Sequence, residues 1–259
     1  MDNSKEITFG SLFSGGGGLD LGLERAGLKC VFQVENDRHC LTLLNRHWPN
    51  VPKNEVRPCV GLVGGDPCPI RSSIGKLKGA NQQPDMSGYF LAMVARCKPR
   101  WVLRENVLAP DVVEFDAALG SLGYYNAILT ADSAAFTGQS RRREFVVGFD
   151  TGQALNKFTL VVENESIEGD GASGPGPAKA IRCLTTRGKG RNSIHDDYVY
   201  EGPKWGLRCF TFTERESLQG WPIGWTDGLP YSARERITGN GVTAPVAEWL
   251  GKRIFEANQ

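Results

Sequence analysis

Ile7-Thr8-Phe9-Gly10-Ser11-Leu12-Phe13-Ser14-Gly15-Gly16-Gly17-Gly18-Leu19-Asp20-Leu21-Gly22-Leu23-Glu24-Arg25-Ala26-Gly27 reads as strand, turn and helix in direct succession. Ile7–Phe13 has the length and apolar content of a strand, and Leu19–Ala26 has helical spacing with Gly27 as its stop. The four glycines between them let a backbone approach a ligand at the C-terminal edge of a parallel sheet. The same alternation continues down the chain. Cys30–Val34 is a second strand, and Asp37–His47 a helix with an Asp cap that ends before Pro49. Val60–Val63 is a strand, Ser87–Cys97 a helix, Arg100–Leu103 a strand and Pro110–Leu119 a helix. Tyr124–Thr130 and Phe145–Phe149 complete the strands. Such alternation predicts an α/β fold, doubly wound around a mostly parallel sheet.

Composition sets the bounds. The 259 residues are 40% apolar and 23% charged, enough for one large core. No apolar run approaches ~20 residues, and Met1-Asp2-Asn3-Ser4 does not open a signal peptide, so a cytoplasmic location and no membrane partner are expected. A net charge of +1 neither requires nor excludes nucleic acid. The seven cysteines form no CxxC and no Cys/His cluster, so no metal is expected. Six read as small buried hydrophobes. Cys68 differs, because Pro67 and Pro69 flank it just where the strand through Val63 ends. Prolines there hold the backbone rather than pack it, as suits a displayed nucleophile.

Three further features converge on chemistry. Glu35 follows the second strand, 17 residues after Gly18, where an acid typically accepts hydrogen bonds from ribose hydroxyls. With the glycine turn, this suggests a nucleoside-containing cofactor. No GxxxxGK[ST] is present, which argues against a phosphate loop for ATP. Glu105 lies at the end of the run Trp101-Val102-Leu103, followed by Asn106 and Val107. In Gln139-Ser140-Arg141-Arg142-Arg143, alternation predicts that Arg141 and Arg143 share a face while Arg142 turns away.

Phe13 to Gly18, Gly65-Asp66-Pro67-Cys68, Glu105-Asn106-Val107 and Gln139 to Arg143 resemble, in order, motifs of the cytosine-C5 DNA methyltransferases of bacteria and phages. Arg215-Glu216-Ser217-Leu218-Gln219-Gly220-Trp221-Pro222 and Gly239-Asn240-Gly241-Val242 are similar to that family's last two motifs. The resemblance implies a methyltransferase of the Rossmann-like, S-adenosylmethionine-dependent type with double-stranded DNA as partner. It implies Cys68 as the thiolate that adds to carbon 6 of a flipped-out cytosine. Glu105 would bond to ring nitrogen 3, and Arg141 and Arg143 would orient it and bind the base oxygen. The resemblance places Phe13, Ser14, Gly15, Gly16, Gly17, Gly18, Leu19, Glu35, Asn36, Asp66, Pro67, Asn240, Gly241 and Val242 at the cofactor. Arg71, Ser72, Lys76 and Lys78, in the loop at 70–84, would contact DNA, joined by Arg187, Lys189 and Arg191.

The resemblance further implies a catalytic domain at 1–150 plus 240–259 and a small recognition domain at 151–239, with a Gly/Pro-rich linker at about 165–178. Two departures stand out. Pro69 replaces the family's usual glutamine, and the segment between Trp48 and Val60 is short, leaving Asn54 or Glu55 to stand in for an adenine-contacting acid. A monomer is expected, working alone or beside a restriction endonuclease. A tRNA substrate and a silent DNA-binding homologue are the alternatives.

Overall fold

The computed structural model describes residues 6–67, 86–164, 181–182, 184, 198–201, 203–204 and 207–259. Cys68, the loop at 70–84, Arg187, Lys189, Arg191 and the expected linker lie outside the described residues.

Six strands form the main sheet in the order β2 (Lys29–Val34), β1 (Thr8–Leu12), β3 (Gly61–Gly64), β4 (Trp101–Asn106), β7 (Arg142–Phe149), β5 (Tyr125–Asp132). The first four run parallel, and β7 is antiparallel to both of its neighbours. The helices between them are α1 (Gly18–Arg25), α2 (Arg38–His47), α3 (Ser87–Cys97), α4 (Asp111–Ser121) and the single turn α5 (Ala134–Thr137). The chain continues through α6 (Gly152–Asn164), α7 (Phe212–Leu218), α8 (Tyr231–Asn240) and α9 (Ala244–Ala257). Short strands β6 (Gln139–Ser140) and β8 (Ile181–Arg182) pair in parallel, and β9 (Tyr198–Tyr200) pairs antiparallel with β10 (Leu207–Cys209).

The doubly wound arrangement follows from strand alternation, because successive side chains point to opposite faces. Val63, Leu103 and Val147 face one core, with Leu23 of α1, Phe158 of α6 and Leu250 and Ile254 of α9. Leu62, Val102 and Val146 face the other, with Phe90 and Val94 of α3 and Phe115 and Leu119 of α4. Helix α6, which the sequence pattern did not predict, therefore belongs to the sheet's packing through Ala154 and Phe158. The last helix buries one stripe: Val246, Leu250 and Ile254 are buried, and Trp249 packs beside them.

A third cluster joins Cys40, Leu43 and Leu44 of α2 and Trp48 to Trp221, Trp225 and Ile237. It ties the 211–240 segment to the N-terminal half. The Trp225 ring stacks on His47 with centroids 3.5 Å apart, and its indole N–H donates to Gly16 O at 2.9 Å. Because β1, β2, β3 and β4 are parallel, the turns after them all open at one edge of the sheet, and that edge carries the site.

Candidate active site

At the first turn, Phe13 and Gly15 are only half-buried, while Ser14 and Gly16 to Leu19 are buried. The glycines serve two different purposes. A Cβ on Gly16 would meet Ile237 and Trp221, one on Gly17 the Trp48 ring, and one on Gly18 the Val242 carbonyl at 2.2 Å. Those three make room for the tryptophan wall and for the chain leaving α8. Gly15 differs: its φ is 55°, and the nearest atom to a Cβ there is Phe13 O at 3.8 Å. It offers bare, outward-facing backbone. Leu19, grouped with the turn in the sequence reading, packs into the core instead.

The Gly15 N–H donates to Glu35 Oε2 at 2.8 Å, and Glu35 Oε1 accepts from the N–H groups of Asn36 and Asp37, each at 2.8 Å. Glu35 thus sits at the end of β2 facing the turn after β1. Of the two stand-ins for the missing acid, Asn54 lies beside it, its Oδ1 accepting from Glu35 N at 2.9 Å. Glu55 pairs with Arg57 on the surface. Among the described residues, an outward strip of Phe13, Gly15, Glu35, Asn36 and Pro67 remains for an adenosine-like ligand. The combination of open backbone at Gly15 and an adjacent carboxylate fits such a group.

Asp66, expected at the cofactor, is turned inward. Its side chain is fully buried and receives Arg104 Nη2 at 2.9 Å on Oδ2 and Arg104 Nε on Oδ1. Asn106 Nδ2 reaches both Asp66 Oδ1 and the Asp66 carbonyl at 3.2 Å. Arg104 is a residue the sequence reading passed over. The signal was a lone cation at the end of the apolar run Trp101-Val102-Leu103.

Arg104 and Asn106 point to one side of β4, so Glu105 points to the other. A Cβ on Gly65 would come within 2.9 Å of Glu105 Oε2, so the carboxylate lies directly against the chain that leads to Pro67. Arg143 Nε meets Glu105 Oε1 at 3.2 Å. The antiparallel course of β7 makes this possible, since Phe145 pairs with Glu105 and the strand's N-terminal end therefore falls at the C-terminal end of β4. Arg141 acts differently from the expectation of twin arginines. It is buried, its Nη1 donates to Leu184 O at 3.4 Å, and it favours the Glu105 charge only through space. Arg142 is exposed, as alternation requires. Arg141, Arg143, Val242 and Thr243 line one cleft, which brings the segment after Asn240 to the arginines. Asn240 itself is exposed.

Burial raises the Glu105 carboxyl above its ordinary range, opposed by Arg143, Arg141 and Arg104 and helped by Asp66. A carboxyl so held retains a proton more readily than one in water, the property an acid facing a ring nitrogen needs.

An α/β sheet with an open edge and an acid–arginine pair at the end of β4 is compatible with several enzyme classes. Comparison with known proteins narrows them. Residues 7–184 match the model of the C-5 cytosine-specific DNA methylases, and the chain belongs to that family. The type II methyltransferase M.NgoMIV of Neisseria gonorrhoeae is 33% identical over 314 aligned positions, covering 97% of this chain and 98% of that protein. M.FnuDI of Fusobacterium nucleatum is 30% identical over 171 residues, 57% of this chain and 48% of its own length. Against M.FnuDI and M.MthTI of Methanothermobacter thermautotrophicus, the chain spans about half of each relative. Among solved structures, the Entamoeba histolytica methyltransferase EhMeth superposes with a TM-score of 0.71 at 16% identity, covering 99% of this chain and all of that one. The Dnmt2 methyltransferase of S. pombe superposes at 0.69 and 14%, covering 95% and 98%. At those identities the likeness is one of fold.

Proposed function

We propose that this protein methylates carbon 5 of cytosine in double-stranded DNA. The observation that carries the reading is buried Glu105, paired with Arg143 and lying against Gly65, three residues before Cys68. Cytosine carbon 5 is a poor nucleophile until carbon 6 is saturated. Addition of the Cys68 thiolate at carbon 6 makes carbon 5 enamine-like, and Glu105, bonded at nitrogen 3, offsets the electron density pushed into the ring. Arg143 holds Glu105 in place, and Arg141 adds positive charge behind it. Once carbon 5 carries the methyl group, loss of its proton, with water the simplest acceptor, expels Cys68 and restores the ring. A stacked base cannot present carbon 6 to a thiol, so the cytosine is flipped out at a cost of about a few kcal/mol.

When bound, S-adenosylmethionine supplies the methyl group. Gly15 and Phe13 would face it, Glu35 would accept from its ribose, and Asn36 and Pro67 would border it. The type II methyltransferases that the chain resembles support DNA as the partner, with a cognate endonuclease as an accompanying protein. A monomer is sufficient for these steps. The recognition region is proposed within the residues between α6 and α7, since α6 itself packs on the sheet.

The test is methyl transfer from labelled S-adenosylmethionine to duplex DNA and, separately, to tRNA. Label should enter DNA cytosine, Cys68→Ser should abolish it, and 5-fluorocytosine DNA should form a covalent adduct. Label confined to tRNA, or activity in Cys68→Ser, overturns the reading. Methylation-sensitive sequencing of DNA from cells expressing the protein then identifies the site.

A further inference from the structure

Neither Arg104 nor Asp66 touches the reacting atoms in that scheme, yet both are buried charges. Their side chains are 1% and 0% exposed. Arg104 also reaches Asp111 Oδ2 at 3.2 Å and lies 4.3 Å above the Phe115 ring. Taking such a pair out of water costs about as much as its attraction returns, so stability alone does not account for it. What the pair does supply is geometry. A planar guanidinium holding both carboxylate oxygens fixes distance and rotation together. Asn106 adds a second tie, to the Asp66 carbonyl itself, and its own Oδ1 accepts from Val107 N at 2.8 Å.

These contacts join two particular pieces of chain. Asp66 lies two residues before Cys68, on the turn after β3, and Arg104 and Asn106 flank Glu105 on β4. The strands are already in register, Gly64 beside Arg104. Beyond Gly64 that ladder ends, and the Arg104–Asp66–Asn106 clamp takes over. We infer that Arg104 and Asp66 are positioning residues that set where the Cys68 turn stands relative to Glu105. The inference rests on the roles proposed above for Cys68 and Glu105. The clamp works from the face of β4 opposite Glu105, so it can fix the nucleophile's approach without occupying the site. Its charge balance matters too, because Asp66 and Arg104 act on Glu105 with opposite sign.

The experiment compares Asp66→Asn, Arg104→Met and the apolar double variant Asp66→Leu/Arg104→Met with the parent protein. Single-turnover methyl transfer, the rate of adduct formation with 5-fluorocytosine DNA, KM for DNA, affinity for S-adenosylhomocysteine and thermal stability are measured for each. Each single variant should slow both rates by about 10–100-fold, the cost of misplacing a reacting group by about an ångström. KM and S-adenosylhomocysteine affinity should stay within about twofold, as geometry and not binding is lost. The double variant, which removes both charges of the pair together, should recover much of the stability that either single variant loses while remaining slow. Recovery of the parent rate together with stability would reduce the pair to a structural element and overturn the inference, as would single variants that transfer methyl at the parent rate. Cys68→Ser run in parallel keeps the two readings apart. If it is active, the proposed mechanism fails; if it is dead while the clamp variants are fast, only the positioning role fails.

Discussion

Glu105 is held in an environment that disfavours its charge, burial acting against it while Arg143, Arg141 and Arg104 act for it and Asp66 against it. For an acid whose folded pKa is raised, the fold favours the neutral form. Stability is then greatest below the unfolded pKa and declines as pH rises through the folded one. Glu105→Gln should therefore abolish methylation yet melt at or above the parent temperature at pH 8, the advantage vanishing in acid. Unfolding scans across pH check this, and a large loss of stability at pH 8 would contradict it. Asp20 offers a stronger case of the same kind. It is completely buried, and burial pushes its carboxyl from 3.8 to about 6, against hydrogen bonds from Gln33 and Ser11. Ionising it in the folded protein costs about 3 kcal/mol at pH 8, a cost that sets in as pH rises from about 4 to above 6. Asp20→Asn should flatten that part of the stability profile and raise the melting temperature at pH 8 by roughly 5–10 °C.

At the scale of elements, the glycine turn and the tryptophan wall behind it act as one unit. Gly18→Ala drives a Cβ into the Val242 carbonyl, the same oxygen that accepts from Trp221 Nε1 at 3.2 Å. Overpacking against backbone costs about 1–3 kcal/mol, and the displaced turn should also weaken S-adenosylhomocysteine binding. Gly15→Ala meets no such obstacle and carries only the left-handed strain, about 1–2 kcal/mol. It should leave the Trp221 environment unchanged while crowding the ligand face. Tryptophan fluorescence beside calorimetric binding separates the two variants. The start of α2 was legible in the sequence, because capping is local: Asp37 Oδ1 accepts from His39 N and Cys40 N at 3.0 Å each. The α3 span was equally legible, Ser87–Cys97 in both readings.

At the scale of the whole molecule, Gln139 links distant parts of the chain. Its buried amide donates to Leu218 O at 2.9 Å and accepts from Leu184 N at 2.8 Å. Those contacts pin both ends of the 184–218 segment, in which the proposed DNA-reading residues fall. Gln139→Ala removes both hydrogen bonds, and a buried backbone group that loses its partner costs about 1–3 kcal/mol. The Leu184 amide should then exchange its hydrogen about 10–100-fold faster. Unchanged exchange at Leu184 would show that the bridge is dispensable. A second bridge runs from Ser133 through Thr243 to Gln219, at 2.8 and 2.9 Å, and binds the C-terminal helix to the same place.

Strand alternation, helix caps and glycine stops act over a few residues, so the main strands and helices through Phe149, the doubly wound class and the positions of Glu35 and Glu105 at strand ends were determined by the sequence itself. The single turn α5 and the two-residue β6 were not. The contacts that complete the site are not local. The insertion of β7 between β4 and β5, which carries Arg143 to Glu105, depends on pairing across 38 positions. The Arg104–Asp66 clamp spans the same separation, and Trp225 meets Gly16 across 209. Helix α6 does carry local signals, with Thr151 Oγ1 accepting from Ala154 N at 3.3 Å and Ala154, Phe158 and Val162 at helical spacing. Only the sheet and α9 turn that stripe into buried surface. Such partnerships exist only once hydrophobic faces from remote segments have been buried together, and so the tertiary structure alone decided which arginine reaches Glu105 and why Asp66 faces inward.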